Sequence, residues 1–260
     1  MQINQLTQML LSKNIDLYRL VRTQTSQSDQ TSLLELLHLV RGKSPLYVYL
    51  EIGSFLGGTL VPFCVDVQCK AIYSVDKRVY EAPNESRSAC SEYGEHSSSA
   101  MRQRLLEATG FDANRLKCLD SDMRDVASAE IKDRIDYVLI DGEHTNDAVE
   151  SDFRAVERFL ASDAVVAFHD YHCVRGGIVR IEKYLRATGR TFLSVKLSGD
   201  VFAIFMQPEM ARSSTFVKSY IRKYRWLRIR HVIMDLSPRW FLLVCRRINS
   251  IWRNSRLLLK

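Results

Sequence analysis

The sequence predicts an α/β protein whose doubly wound, mostly parallel sheet ends in an antiparallel hairpin, and three observations support this fold class. Short apolar runs that suit buried parallel strands alternate with segments of helical periodicity. Five successive apolar runs each end in polar, mostly acidic residues. Two β-rich runs then follow the last of these helices, and the turn sequence Leu197-Ser198-Gly199-Asp200 joins them as a hairpin.

These patterns place five strands and three helices in the middle of the chain. The strands are predicted at Leu46–Glu51, Ala71–Val75, Arg115–Leu119, Arg134–Ile140 and Ala164–Phe168. The helices are predicted at Ser97–Thr109, Asn146–Leu160 and Val174–Ala187, with Gly110 and Gly189 as stop signals. The hairpin strands are predicted at Thr191–Lys196 and Val201–Met206.

The chain divides into three predicted parts. Residues 1–44 form an extension of two helices, because apolar residues keep helical spacing from Gln5 to Arg41 on either side of the polar stretch Thr23–Ser32. Residues 45–208 form the α/β binding domain. Residues 209–260 form a basic, aromatic-rich helical tail.

The first predicted strand breaks at once into a glycine loop that should line a ligand site. Gly53, Gly57 and Gly58 let backbone approach a ligand without a Cβ in the way. In doubly wound sheets the ligand lies beyond the carboxyl ends of the strands and faces helix amino termini. The spacing matches neither the G-x-G-x-x-G dinucleotide fingerprint nor a phosphate loop with a following lysine. A glycine turn that only closes a βα unit is the alternative.

Acidic residues follow the later strands in an order that suits a nucleoside cofactor. Asp76 closes the second strand, where a carboxylate can accept two hydrogen bonds from a ribose diol. Polar clusters also follow the next three strands, namely Asp120-Ser121-Asp122, Asp141-Gly142-Glu143-His144 and His169-Asp170-Tyr171. The sequence therefore predicts one polar site at this edge of the sheet.

Three motifs resemble class I S-adenosylmethionine-dependent methyltransferases. The first is E-x-G-x-x-x-G, from Glu51 to Gly57. More specific are IDGEHTNDAVESDF, from Ile140 to Phe153, and VVAFHDY, from Val165 to Tyr171. They resemble the family that includes macrocin and other macrolide-sugar O-methyltransferases and the cephalosporin-hydroxylase-type proteins. The resemblance covers Leu46–Gln207 and implies a seven-stranded, Rossmann-like methyltransferase fold.

The resemblance also implies that S-adenosylmethionine lies over the first strands. Glu51 and Gly53 would then bound its methionine and ribose side. Asp76 would hold the ribose diol, and Asp120 or Ser121 would contact the adenine edge. The implied cofactor residues are Glu51, Gly53, Ser54, Gly57, Gly58, Asp76, Asp120 and Ser121. The N-terminal extension of such enzymes usually covers the cofactor or makes a dimer contact, and simple packing on the sheet is the alternative.

In several members of this family, acids at the fourth and fifth strand ends hold a divalent cation. The resemblance carries this role to Asp141 and Asp170, with His169 as a third ligand. Some metal-dependent relatives have a carboxylate at the position of His169. Mg²⁺ prefers oxygen ligands, whereas a histidine favours Mn²⁺, Fe²⁺ or Zn²⁺. The expected metal is Mg²⁺ or Mn²⁺, and a site without a metal remains open.

The predicted catalytic residues are Asp141, His144 and His169. A cation held by Asp141 would grip acceptor oxygens and lower the pKa of one of them. His144 or His169 would then accept the proton, because the pKa of an imidazole can lie near neutrality. Each histidine could instead be a satisfied core residue, and Asp141 could cap the helix that starts near Thr145.

The predicted function is S-adenosylmethionine-dependent O-methylation of a small molecule or glycan, with a sugar or glycolipid-type hydroxyl as the acceptor. One alternative is a catechol-type O-methyltransferase, which has the same fold but acts on an aromatic diol. The other is a non-catalytic adaptor that binds a nucleoside or the cofactor and uses the basic tail.

The tail accounts for the positive charge of the chain. Residues 209–260 hold 13 Lys and Arg against 2 Asp and Glu, which leaves 24 basic and 28 acidic residues elsewhere from totals of 37 and 30. Interleaved basic and aromatic residues predict an amphipathic helix on an anionic membrane surface. Packing on a partner subunit of a homo-oligomer is the second interpretation, and nucleic-acid contact is the weakest.

The first residues lack both a basic leader and a sufficiently long apolar stretch, so no secretory segment is predicted. Six cysteines show no C-x-x-C spacing, which indicates neither a zinc cluster nor a disulfide framework. We expect a cytoplasmic protein with reduced thiols that is peripheral on the inner membrane face through its tail.

Overall fold

Seven strands form a single sheet in the computed structural model, which describes residues 2–78 and 97–224. The strands are β1 (Tyr47–Ile52), β2 (Cys69–Val75), β3 (Leu116–Leu119), β4 (Ile135–Ile140), β5 (Leu160–Phe168), β6 (Leu193–Lys196) and β7 (Phe202–Phe205). Their spatial order is β3-β2-β1-β4-β5-β7-β6. Strands β1 to β5 run parallel, and β7 pairs antiparallel with both β5 and β6. The predicted mostly parallel sheet with a C-terminal antiparallel hairpin is confirmed.

Helices connect the strands and extend both ends of the sheet domain. They are α1 (Ile3–Leu11), α2 (Gln27–Lys43), α3 (Val61–Val65), α4 (Ser98–Thr109), α5 (Asn146–Val156), α6 (Tyr171–Ala187) and α7 (Pro208–Ser213). Residues 215–224 are also helical. The predicted boundaries of α4 agree with the observed ones to within one residue. Ser97 caps the start of the helix, and Gly110, at φ 64°, ends it in the left-handed conformation.

Two other helices differ from their predicted bounds for backbone reasons. Helix α5 ends at Val156 rather than Leu160, because a short 3₁₀ turn at Glu157–Phe159 leads directly into β5. Helix α6 begins at Tyr171 rather than Val174, since the carbonyl of Asp170 accepts the backbone N–H groups of the first turn.

The N-terminal extension contains α1 and α2 with a 3₁₀ turn, Ile15–Arg19, between them. Helix α2 begins inside the stretch predicted to separate two helices. The reason is a capping box, in which the Ser26 Oγ accepts from the Asp29 N–H and the Asp29 carboxylate accepts from the Ser26 N–H. Polar composition therefore marked a helix start rather than a linker.

The sheet brings the loop after each parallel strand to one edge. Backbone hydrogen bonds extend the ladder one residue past the strand ends, from Asp76 N to Leu119 O (3.1 Å), from Asp141 N to Ile52 O (2.9 Å) and from His169 N to Ile140 O (3.1 Å). The strand order reverses between β1 and β4, and ligands of doubly wound sheets bind at such a switch point. The fold thus places the predicted polar clusters beside one another.

The first part of the predicted tail packs on the sheet domain. Val217 is fully buried, and the Tyr224 ring meets the Phe202 ring edge-on with centroids 5.3 Å apart. The remainder of the tail, residues 225–260, lies outside the described residues, so its proposed membrane role stays a prediction. Within residues 2–78 and 97–224, no helix has the length and apolar character that a bilayer span requires.

Gly53→Ala should destabilise the protein by on the order of 2–4 kcal/mol. Gly53 has φ 87°, and a Cβ at this position would lie 2.2 Å from the Asp141 carbonyl oxygen. Urea denaturation measures the effect. Gly42→Ala is the control, because a Cβ there meets nothing within 4 Å and alanine favours the helix. Equal stability of the two variants would contradict the close approach of the loops after β1 and β4.

Candidate active site

A cavity of about 900 Å³ lies at the carboxyl edge of the parallel strands. Most of the predicted site residues line it, namely Gly53, Ser54, Gly58, Asp76, Ser121, Asp141, His144, His169 and Asp170. Three predicted cofactor residues do not line it, namely Glu51, Gly57 and Asp120. Strand-end position alone therefore identified the site but did not settle which side chains face it.

Glu51 is buried behind the cavity rather than in it. Its carboxylate accepts a hydrogen bond from the Tyr49 hydroxyl (2.7 Å) and another from the Thr59 hydroxyl, and the side chain is 0% exposed. Burial raises the pKa of Glu51 to about 8, although the two hydroxyl donors act in the opposite direction. The structure therefore corrects the predicted cofactor contact, and Glu51 instead links β1 to the loop that follows it.

Gly57 and Asp120 contact helix α4 rather than the cavity. Gly57 has φ 90°, and a Cβ on it would lie 2.8 Å from the Met101 side chain, so it allows α4 to pack closely on the loop. The Asp120 carboxylate accepts from the Ser98 hydroxyl at 2.7 Å and is about half exposed. Ser121, the alternative predicted at the adenine edge, does line the cavity.

Asp76 lies at the tip of β2 and faces the cavity. Its Oδ2 accepts from the Phe55 N–H at 3.0 Å, and its Oδ1 accepts from the Arg78 N–H at 2.8 Å. These bonds fix the carboxylate against the glycine loop. The loops after β3 and β4 are joined above it by Lys77, which forms ion pairs with Asp122 (3.4 Å) and Glu143.

Asp141, His144 and Asp170 form a cluster on the opposite side of the cavity. The His144 Nε2 lies 3.1 Å from Asp170 Oδ2 and 3.5 Å from Asp141 Oδ1. Thr145 caps α5 through its side chain, so Asp141 does not cap that helix. Asp170 has φ 49° and makes no side-chain cap, which leaves its carboxylate for the cluster. Strain of this kind is typical of functional positions.

His169 lies beneath this cluster and is 8% exposed. Its Nδ1 is 3.1 Å from Asp141 Oδ1 and 3.2 Å from Asp170 Oδ2, and its Nε2 is 3.4 Å from Asp29 Oδ2, an ion-pair distance. Burial alone would lower the pKa of His169, but the neighbouring carboxylates, above all Asp141, raise it well above its ordinary value. Burial alone would raise the pKa of Asp141, but His169 and His144 lower it to about 2.

This geometry bears on the two roles predicted for His169, as a metal ligand and as a base, and both roles stay predictions. A doubly protonated imidazole has no lone pair for a metal and cannot accept a proton. The ligand atoms of Asp141, His144 and Asp170, in contrast, all lie within 4.8 Å of one another. The geometry therefore adds His144 to the candidate ligand set beside Asp141 and Asp170, and His144 is also a candidate for the base. Burial would lower the pKa of His144, but Asp141 and Asp170 raise it above its ordinary value.

No sequence motif indicated a role for Asp29, a residue of the N-terminal extension that lies at ion-pair distance from His169. Its carboxylate accepts from the Ser26 N–H (2.8 Å), the Ser26 hydroxyl (2.6 Å) and the Asp200 N–H (2.5 Å). Burial would raise the pKa of Asp29, but His169 and these donors hold it well below the usual range. The capping box was the only local signal, because the contacts with residues 169 and 200 arise from the fold.

Arg22, Thr23 and Gln24 also line the cavity. They lie between α1 and α2, and the Arg22 carbonyl oxygen would lie 2.6 Å from a Cβ at Gly58. The extension therefore reaches the glycine loop directly and forms part of the cavity wall.

Comparisons with known proteins agree with this fold. Residues 50–171 match the family described as "Methyltransferase domain". The structure is similar to the O-methyltransferase NovP (13% identity, 65% of this chain and 78% of that chain, TM-score 0.51) and to the calicheamicin methyltransferase CalS11 (15%, 78% and 90%, 0.51). It is also similar to the O-methyltransferase from Bacillus cereus in complex with SAH (15%, 78% and 89%, 0.50). Among curated proteins, no match is found.

The seven-stranded sheet with its C-terminal antiparallel hairpin is the fold of the class I methyltransferases. Residues 50–171, which contain β1 to β5 and the loops that follow them, match the methyltransferase domain family.

Glu51→Gln should gain stability relative to wild type as the pH rises. In the folded protein the Glu51 carboxyl keeps its proton up to about pH 8, whereas its ordinary pKa is 4.5. Folding therefore takes up a proton between these values, and the wild-type free energy of unfolding falls as the pH rises. The gain at pH 8 should be on the order of 2–3 kcal/mol.

Urea denaturation between about pH 5 and pH 8 tests this expectation. Glu107→Gln, at an exposed site on α4, is the matched control. A stability difference between Glu51→Gln and wild type that does not change with pH would show that Glu51 is ionised in the folded protein.

Proposed function

We propose that this methyltransferase transfers the methyl group of S-adenosylmethionine to a hydroxyl oxygen of a sugar or glycan-type acceptor. The observation that carries the proposal is that one cavity joins Asp76, suited to a ribose diol, with the cluster of Asp141, His144 and Asp170. The first group can hold a nucleoside, and the second can activate an oxygen nucleophile.

The strand order gives the cofactor a direction. With its ribose at Asp76 after β2, the sulfonium would extend across Gly53 after β1 towards Asp141 after β4. Gly53 has no Cβ, which allows the loop after β1 to lie directly against the Asp141 backbone beside this passage. The methyl group would then face the Asp141 and Asp170 side of the cavity.

Methyl transfer from a sulfonium is an in-line displacement in which an oxygen–carbon bond forms as the sulfur–carbon bond breaks. The protein must hold the acceptor oxygen in line with the methyl carbon and remove its proton. His144 is the candidate proton acceptor, because Asp141 and Asp170 stabilise the imidazolium that forms. S-adenosylhomocysteine and the methyl ether are the products.

The donor set of Asp141, His144 and Asp170 fits a divalent cation. Two carboxylates with one imidazole suit Mn²⁺, Fe²⁺ or Zn²⁺ better than Mg²⁺, which prefers oxygen ligands alone. When bound, such an ion would lower the pKa of an acceptor hydroxyl that reaches it. His144 would then act as a ligand, and the proton would leave by another route. Activity before and after chelation separates these two forms of the proposal.

The size of the cavity allows the cofactor and an acceptor to bind together. Its volume of about 900 Å³ is near the upper end for ligand pockets, so a small acceptor fits beside the cofactor. The resemblance of the D-G-x-H and H-D-Y segments to macrolide-sugar enzymes supports a sugar, and NovP and CalS11 are O- and calicheamicin methyltransferases by name. A catechol-type diol is the second candidate acceptor.

Asp141→Asn and Asp170→Asn should each lower methyl transfer by about 100-fold or more, because each removes one charge from the cluster that activates the acceptor. Binding of S-adenosylhomocysteine should change by no more than about threefold, since Asp76 and the glycine loop remain. Calorimetry measures the binding, and transfer of a labelled methyl group to glycoside and catechol acceptors measures the activity.

Asp120→Asn is the matched control, because that carboxylate follows β3 without lining the cavity. A folded wild type that binds no S-adenosylhomocysteine would overturn the proposed cofactor. Binding without transfer to any acceptor would favour an adaptor. Transfer that survives both substitutions would remove Asp141 and Asp170 from the site.

A further inference from the structure

A second cavity, of about 380 Å³, lies beside the end of α6 and the edge strand β6. In the described part of the chain, no residue lines both this cavity and the catalytic one. Among the described residues that line the second cavity there is no Asp or Glu, whereas three are arginines, namely Arg186, Arg190 and Arg212. We call this cavity the arginine groove.

The three guanidinium groups of the arginine groove are about half exposed, with side-chain exposures of 48%, 55% and 58%. Each pairs with one carboxylate that does not line the groove, at 3.3 Å for Arg186–Glu182, 3.5 Å for Arg190–Glu157 and 2.9 Å for Arg212–Glu209. The first two distances exceed the usual length of an N–H···O hydrogen bond. Because a guanidinium has five N–H donors, each arginine can still bind an anion in the groove.

One of these arginines is held in place from below. Glu182 is only 2% exposed, and its carboxylate pairs with Arg186 and accepts the Ser194 hydroxyl of β6. The Arg186 guanidinium also lies over the Phe192 ring, 5.3 Å from its centroid. A guanidinium that is already positioned loses less conformational freedom when it binds a planar or tetrahedral anion.

The surroundings of the arginine groove are strongly basic. Residues 186–224 contain seven Lys and Arg against two Asp and Glu. The helix of residues 215–224 lines the groove with Ile221 and Tyr224, and it exposes Lys218, Arg222 and Lys223. This charge favours an anionic partner.

Apolar groups and the following sequence favour a membrane over a soluble anion. Phe192, Leu193, Ile221 and Tyr224 line the groove together with the arginines. The chain continues from Tyr224 into residues 225–260, which contain nine Lys and Arg against one Asp. All three tryptophans of the chain are in that segment. Tryptophan is enriched at membrane interfaces, and basic residues are attracted to anionic headgroups there.

We propose that the arginine groove docks the protein on a membrane surface rich in anionic phospholipid, with Arg186, Arg190 and Arg212 bound to lipid phosphates. The proposal goes beyond the proposed function and does not depend on it. It adds a contact made by the folded domain to the membrane role predicted for the tail.

Sedimentation of the full chain with vesicles tests the proposal. Wild type should bind vesicles of phosphatidylglycerol and phosphatidylcholine, and it should bind pure phosphatidylcholine vesicles at least about tenfold more weakly. Partition onto the anionic vesicles should fall at least about tenfold when three charges of the groove are removed, in the triple variant Arg186→Gln, Arg190→Gln, Arg212→Gln. The double variant Arg190→Gln, Arg212→Gln keeps the buried Arg186–Glu182 pair and should still lose about fivefold or more.

The matched control removes three charges at exposed positions outside the groove, in the triple variant Arg19→Gln, Lys70→Gln, Lys132→Gln. Its partition should stay within about threefold of wild type, because salt screens charges that lie away from the surface contact. Groove variants that bind as the control does would overturn the proposal. So would wild type that binds both kinds of vesicle equally, or that binds inorganic phosphate or an oligonucleotide but no vesicles.

Discussion

The buried imidazole of His169 is the interaction on which the site depends. In the described part of the chain, three carboxylates surround it: Asp29 from α2, Asp141 after β4 and Asp170 after β5. Carboxylates this close repel one another in a low-dielectric interior unless a cation lies between them. The neighbouring carboxylates raise the pKa of His169, which favours the protonated imidazole that supplies this cation. It therefore holds together three segments that are far apart in the sequence.

This arrangement explains why the N-terminal extension belongs to the site. Asp29 also accepts the backbone N–H of Asp200 in the hairpin turn, so it joins α2 to both β5 and the β6–β7 hairpin. The chain just before α2, from Arg22 to Gln24, then closes the cavity beside the glycine loop. The extension and the reversed hairpin thus stabilise the same charged cluster from two sides.

Local patterns were enough to predict the sheet and the place of the site. Apolar runs that end in glycine or acids identified Gly53, Asp76, Asp141 and Asp170, because the carboxyl ends of parallel strands must meet at one edge. The direction of a side chain was not predictable at Glu51. Strand β1 is buried on both faces, so alternation along it cannot tell which face meets the ligand.

Contacts between distant segments could not be predicted from the sequence either. From the sequence alone, His169 could be a ligand, a base or a core residue. In the structure its two ring nitrogens face carboxylates from different elements, Asp29 and Asp141. Such roles follow from tertiary geometry rather than from residue type and spacing.

A crystal structure of the protein with S-adenosylhomocysteine bound tests the central claim most directly. The account predicts the ribose diol within about 3 Å of the Asp76 carboxylate. It places the base beside the loop after β3, and the sulfur on the side of Asp141 and Asp170. A cofactor bound outside this cavity, or bound with its adenine beside Asp141 and Asp170, would contradict the account.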